Sequence, residues 1–362
     1  MVGMVIGMFG IIIMLQVFSL AESQKRATSG GGDAQTSGAI ALYGIQRDMR
    51  QAGYGITDAK LVGCSLLLRA GVTLTLLAPV TINHALIPAG DANTDTLLVT
   101  YGSTNGSTQG DGITSQASNQ TFAVQTPTSF TFHATDITKA DKVIATPSAR
   151  PVTCNLILDW VSIVAAANVT VATGMGGLVS GTLFNLGLSP KVLAYAVRSG
   201  NLTVCDYMVN DCSVAGSTGN VAIWVPIANN VVRMRAQYGR DTSATPDGFV
   251  DTFNQTALAT ACDISKVSAI RLALVVRSAN YEKTAVTTDD TAVDTGAALA
   301  PTWEGGTVQT ATAPTNPTAV AINLALNPDG SANATWKNYR YRVFQNVVPL
   351  RNIAWQGAQA GC

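Results

Sequence analysis

Six cysteines, two histidines and one acidic loop are the residues of this chain whose types and spacing could do chemistry. The loop reads Asp241-Thr-Ser-Ala-Thr-Pro-Asp247-Gly248-Phe-Val-Asp251. With Gly248 set on the glycine of a calcium loop, Ser243, Thr245, Asp247 and Asp251 fall at ligand-like spacings. The acidic ligands expected early in such a loop are mostly replaced, and no Glu follows at the bidentate position. A turn between two strands is therefore expected, with no metal, and Asp241, Asp247 and Asp251 are its weak candidate ligands. His84 follows Asn83 in an expected turn, and His133 lies opposite Phe130 and Phe132 on an expected strand. Both are read as ordinary surface or structural histidines. No Gly-x-Ser-x-Gly elbow, phosphate-binding glycine loop or His-Glu-x-x-His is present. The reading is a non-enzyme with no catalytic residues and no cofactor.

The cysteines are Cys64, Cys154, Cys205, Cys212, Cys262 and Cys362. An even count in an exported protein points to disulfides, whereas no Cys-x-x-Cys occurs to suggest zinc. Cys205 and Cys212 bracket a six-residue loop and are expected to join locally. The other four allow three pairings, and the sequence does not choose among them. Charged residues are 12% of the chain, and the 22 basic and 22 acidic side chains cancel. With no basic run longer than two, there is no footprint for direct nucleic-acid binding.

The elements that must carry these residues begin with an uncharged stretch, Met1 to Ala21. Twenty helical residues rise about 30 Å, roughly a bilayer's hydrocarbon thickness. Residues 1–28 are thus expected to form an apolar half-helix, lying in a membrane or among other apolar helices. Its small residues Gly3, Gly7 and Gly10 share a face where another helix could approach, beside the bulky Ile11, Ile12, Ile13 and Leu15. Residues 29–56 are expected to hold a break at Gly30-Gly31-Gly32 and then an amphipathic half-helix. Its stripe is Leu42, Ile45, Met49 and Ala52, at helical spacing, with Gly53 as the stop.

Residues 57–362 are expected to form a β-rich head. Alternation marks Val72–Leu76, Phe130–His133, Val232–Tyr238 and Tyr339–Val343, and Ile270–Val276 suits a central strand. Long loops are expected at about 103–120 and 284–335, the second containing the turn signal Asn327-Pro328-Asp329-Gly330.

An apolar half-helix, a glycine joint and an amphipathic half resemble the N-terminal helix of a type IV pilin. The run from Ile45 through Arg47-Asp48-Met49-Arg50 to Gly53-Tyr54-Gly55 resembles the helix end of PilW-type minor pilins. Asp95–Gly102, Val231–Asp251, Ile270–Ser278 and Tyr339–Asn352 resemble the same family in the same order. The resemblance implies an α+β fold, with a long N-terminal helix packed on a large β-rich head. It implies a structural subunit that primes filament assembly at or near the pilus tip, supporting adhesion and twitching. Implied partners are other minor pilins, the major pilin and the inner-membrane assembly machinery. The implied location is the inner membrane with a periplasmic head before assembly, then the pilus. Met1-Val2-Gly3-Met4 corresponds to the helix just after the family's leader and Phe-Thr-Leu-Ile-Glu segment. In-frame codons upstream are expected to encode both. The alternative expectation is a membrane-anchored adhesin or binding module with a single N-terminal helix.

Overall fold

The computed structural model describes residues 2–103, 109–243, 246–287, 303–306 and 319–354. A helix, α1 (Val2–Gln51), leads into seventeen strands. In chain order these are β1 (Ser65–Arg69), β2 (Val72–Leu74), β3 (Val80–Ile82), β4 (Leu97–Tyr101), β5 (Asp111–Ser118) and β6 (Thr121–Val124). There follow β7 (Lys142–Thr146), β8 (Asn155–Ala165), β9 (Asn168–Val171), β10 (Thr182–Gly187), β11 (Lys191–Arg198) and β12 (Asn201–Asp206). The last are β13 (Val225–Asn229), β14 (Val231–Arg240), β15 (Thr252–Asn254), β16 (Val267–Arg277) and β17 (Tyr341–Pro349). Two short helices, α2 (Ala261–Ser265) and α3 (Arg351–Ala354), flank β16 and β17.

The class is predominantly β, which corrects the expected α+β pilin-like architecture. The difference arises chiefly between residues 103 and 190. There the chain forms β5 to β10, from the polar β5 to the largely apolar β8 and β10. The expected loop at 103–120 is corrected in the same way, since β5 occupies Asp111–Ser118. The glycine break is corrected too: α1 passes through Gly30-Gly31-Gly32 as helix. Three glycines cost about 3 kcal/mol relative to alanine, but propagating an existing helix needs no new nucleus. Thr36 also donates its hydroxyl to the Gly32 carbonyl at 3.0 Å. Among the described residues no helix is long and apolar enough to cross a membrane, so the expected transmembrane half-helix is not found. The Phe130–His133 strand is corrected as well. Pro127 opens a 3-10 turn, and Asp141 accepts the Thr131 N–H at 2.8 Å in place of a ladder partner.

Three sheets result. The largest runs β2-β1-β8-β7-β10-β5-β6-β9, and β9 pairs back onto β8. The long β8 makes this closure possible, pairing with β7 through Leu158–Trp160 and with β9 through Val161–Ala165. Six strands thereby close into a barrel, which removes their free edges. Buried Ile113, Phe122, Val143, Val161, Val169 and Leu183 fill it. A five-stranded antiparallel sheet runs β13-β12-β11-β4-β3, and a four-stranded one runs β15-β14-β16-β17. The chain leaves the five-stranded sheet at Tyr101 and re-enters at Lys191, its register partner. The barrel is thus inserted between two neighbouring strands.

The second half of α1 lies between the five- and four-stranded sheets in one core. There Ile45 and Met49 join Val99 of β4, Tyr195 of β11, Met234 of β14 and Leu272 of β16. The outer face of the four-stranded sheet is covered by Trp303, Val320, Ile322, Leu324 and Trp336 against Val232, Ala273 and Val275. Covered on both faces, β16 is buried along nearly its whole length. Within the expected long loop at 284–335, Trp303, Val320, Ile322 and Leu324 are therefore a packed cover, while residues 328–332 are exposed. The turn within it is real: Gly330 sits at φ +87° and donates to the Asn327 carbonyl at 3.0 Å.

Candidate assembly interface

Two stretches of α1 behave oppositely. Met4, Ile6, Met8, Phe9, Ile11, Ile12, Ile13, Met14, Leu15, Val17 and Phe18 are all exposed. Around Gly3, Gly7 and Gly10, an added Cβ would meet nothing of this chain within 4 Å. From Ala34 onward the helix is docked. Its buried line is Ala34, Gly38, Ala41, Ile45, Met49 and Ala52, at steps of three and four. Leu42 lies on the flank, half-buried against the same core. Gly38 marks the closest approach, since a Cβ there would stand 2.2 Å from the Phe344 ring on β17. Sequence reasoning missed Gly38. Its position four residues after Ala34 and seven before Ile45 was the available signal.

A polar anchor pins the end of the docked segment. Asp48 is buried, and its two oxygens accept the hydroxyls of Tyr101 on β4, at 3.1 Å, and Tyr195 on β11. Arg47, itself exposed, lies 3.3 Å from the same carboxylate. Burial, then the Asp48 charge, pushes both tyrosine hydroxyls above their ordinary titration range. Gly53 ends the helix at φ +86° and donates to the Thr100 carbonyl at 2.9 Å. Asn352 of α3 caps it, donating to the Ala52 and Gln51 carbonyls at 2.9 and 3.2 Å. Helix, β4, β11 and α3 therefore meet at one point.

A second buried carboxylate ties the two sheets. Asp95, just before β4, accepts from Arg235 and Asn83 on one oxygen, each at 3.0 Å. Its other oxygen accepts from the Ala236 N–H at 2.9 Å and the Gln255 amide at 2.7 Å. Nearby, the Tyr238 hydroxyl accepts the Ile82 N–H at 2.6 Å, and burial raises its titration to about 12. Val99 of β4, Met234 of β14, Leu272 of β16 and Val348 of β17 share one core with Ile45 and Met49 of α1.

The other candidate residues lie apart. In the acidic loop, Asp241 accepts from the N–H groups of Ser243 and Gly248 at 3.1 and 2.7 Å. Asp251 accepts from the Thr242 N–H at 2.7 Å, and Asp247 from the Phe249 N–H at 2.9 Å. The three carboxylates are spent on the loop's own backbone; Thr245 lies outside the described residues. Among the described residues no group of three His, Cys, Asp or Glu could hold a metal. His84 is buried, its Nδ1 accepting the Leu86 N–H at 3.2 Å, and desolvation lowers its titration. His133 Nδ1 accepts the Asp136 N–H at 2.9 Å. Disulfides join Cys205 to Cys212 and Cys64 to Cys154. Cys262 is also disulfide-bonded, while Cys362 lies outside the described residues.

The geometry describes a β-rich head that grips one end of a helix and leaves the other end's apolar side chains uncovered. The family model described as type IV pilus-assembly protein W matches residues 195–352, from within β11 into α3. That match supports a type IV pilus-related protein with a part in pilus assembly. No curated protein and no solved structure matches. The matched stretch holds the whole four-stranded sheet and one partner of the Asp48 anchor, Tyr195. The barrel, formed by residues 111–187, lies outside it.

Proposed function

We propose that this chain is a structural, non-enzymatic minor pilin that acts in the initiation or tip complex of a type IV pilus. The exposed apolar side chains from Met4 to Phe18 carry the reading. A stretch this long and apolar needs a partner, because uncovered surface of that size marks an interaction site. In this reading equivalent helices of neighbouring subunits supply it, and the stretch is held at the inner membrane before assembly. The docked segment from Ala34 to Ala52 transmits that packing to the head. Other minor pilins, the major pilin and the inner-membrane assembly machinery are the partners.

Close helix packing depends on small residues, whereas mere anchoring tolerates any apolar surface. In a strain carrying only the variant copy, Gly3→Leu with Gly7→Leu should keep the protein at wild-type abundance yet lower the yield of sheared pili. Deleting the gene should lower that yield further. Normal piliation with the double variant, alongside loss on deletion, rules out helix packing. Normal piliation in both strains with loss of surface adhesion favours an anchored binding module.

A further inference from the structure

At the start of β14 and the end of β16 the two sheets leave a polar cleft of 140 Å³. It is walled by the Ser199-Gly200 turn between β11 and β12, by the 324–333 segment, and by Arg233 and Arg277. The two guanidinium groups differ in how far they are already satisfied. Arg233 is buried and donates to three carbonyls, those of Asn323 at 2.7 Å and of Val232 and Leu326 at 2.6 Å. Arg277 stacks over the Tyr339 ring at 4.4 Å and makes no hydrogen bond through its buried Nε. Among the described residues, one carboxylate lines the cleft. It belongs to Asp91, whose two oxygens already accept the N–H groups of Ser199 and Gly200 at 2.8 and 2.7 Å. The lining thus carries two positive charges against one committed negative charge. The buried side chains of Val232 and Leu324 add apolar surface to the lining.

We propose that this cleft binds a small monocarboxylate, with Arg277 as the principal charge partner. A guanidinium with unspent N–H groups in a confined site favours a planar carboxylate, which it can hold through two parallel bonds. A cavity near this size accepts a ligand of about six non-hydrogen atoms, by comparison with benzene in a cavity of about 150 Å³. The apolar lining takes the short carbon chain, and the Asn333 amide N–H groups can meet a hydroxyl or second polar group. Those of Asn327 are already donated to Ser331 and Ala332. The chemistry of the cleft is independent of any role in pilus assembly.

Sodium lactate and lactamide have the same number of non-hydrogen atoms and differ mainly in charge, so they make a matched pair of probes. Calorimetric titration of the full chain in detergent, at fixed ionic strength, should show saturable binding of one lactate. Lactamide should bind at least about tenfold more weakly. Arg277→Gln should weaken lactate by a similar factor, and Arg277→Lys should retain part of the affinity. Inorganic phosphate should bind less tightly than lactate. Absence of saturable lactate binding overturns the proposal, as does equal binding of lactate and lactamide. Wild-type affinity in a folded Arg277→Gln variant overturns the assignment to this cleft, and tighter phosphate binding overturns the carboxylate class. Should Arg277→Gln fail to fold, the lactate–lactamide contrast on the wild-type chain decides.

Discussion

A single buried carboxylate organises the helix dock. Asp48 satisfies two tyrosine hydroxyls from two strands of one sheet, and neither hydroxyl could be left unpaired cheaply. An orphaned buried hydroxyl costs about 1–3 kcal/mol. The tyrosines also make stability pH-dependent. Their folded-state titration lies above the unfolded value of about 10, so the unfolded chain ionises first as pH rises. The stabilisation is therefore complete below about pH 10 and declines above it. Urea midpoints measured from pH 7 to 11 should hold steady and then fall. Tyr195→Phe should lower the midpoint at pH 7 and make the alkaline fall shallower. An unchanged alkaline slope would show that this hydroxyl does not govern it. In the sequence, Asp48 stood only within the run Arg47-Asp48-Met49-Arg50 that resembles the helix end of PilW-type minor pilins. Nothing local says that a carboxylate points into a core, because its partners lie 53 and 147 residues away.

Among the elements, α1 shows what periodicity can and cannot reveal. Ile45, Met49 and Ala52 stood out by spacing, and all three are buried. Gly38 did not, because a glycine adds no hydrophobicity to a pattern, yet it fixes how close the helix lies to β17. Strands with strong apolar character, β14 and β16, were equally legible. The barrel strands were not, since β5 reads Asp-Gly-Ile-Thr-Ser-Gln-Ala-Ser and buries little beyond Asp111 and Ile113. The cover over β14 and β16 escaped as well. Val320, Ile322 and Leu324 belong to no named strand, yet they alternate at period two with Ala321 and Asn323 between them, a signal the sequence did offer. The close approach at Gly38 gives a direct test. Gly38→Ala should destabilise the fold by about 1–3 kcal/mol through overpacking against Phe344. Phe344→Leu should cost stability alone but restore part of the loss when combined with Gly38→Ala. Strict additivity in that double-mutant cycle would mean the two do not touch.

For the molecule as a whole, the disulfide Cys64–Cys154 spans the trunk and the inserted barrel. Cys64 lies just before β1 and Cys154 just before β8, a sequence separation of 90. In the chain-entropy picture such a link contributes about 2–5 kcal/mol. The variant with Cys64→Ser and Cys154→Ser should therefore lose stability in that range and become more open to protease between β7 and β8. Cys205 and Cys212, only seven apart, close a far shorter loop, so replacing that pair should cost less. Equal losses from the two pairs would argue that strain or denatured-state structure, and not loop closure, sets their value.

The way the chain enters and leaves the barrel also has a mechanical meaning. Tyr101 and Lys191 are neighbours across one ladder, so the chain enters and leaves the barrel at one place. The β1–β8 pairing, the Cys64–Cys154 disulfide and a core shared with Leu98 and Val192 fasten it further. Tension applied along α1 enters the head through the Gly38–Phe344 contact, the Ile45 and Met49 side chains and the Asp48 anchor. From there it spreads into β17, β16, β4 and β11, with no need to cross the barrel. The trunk bears the load while the barrel rides beside it.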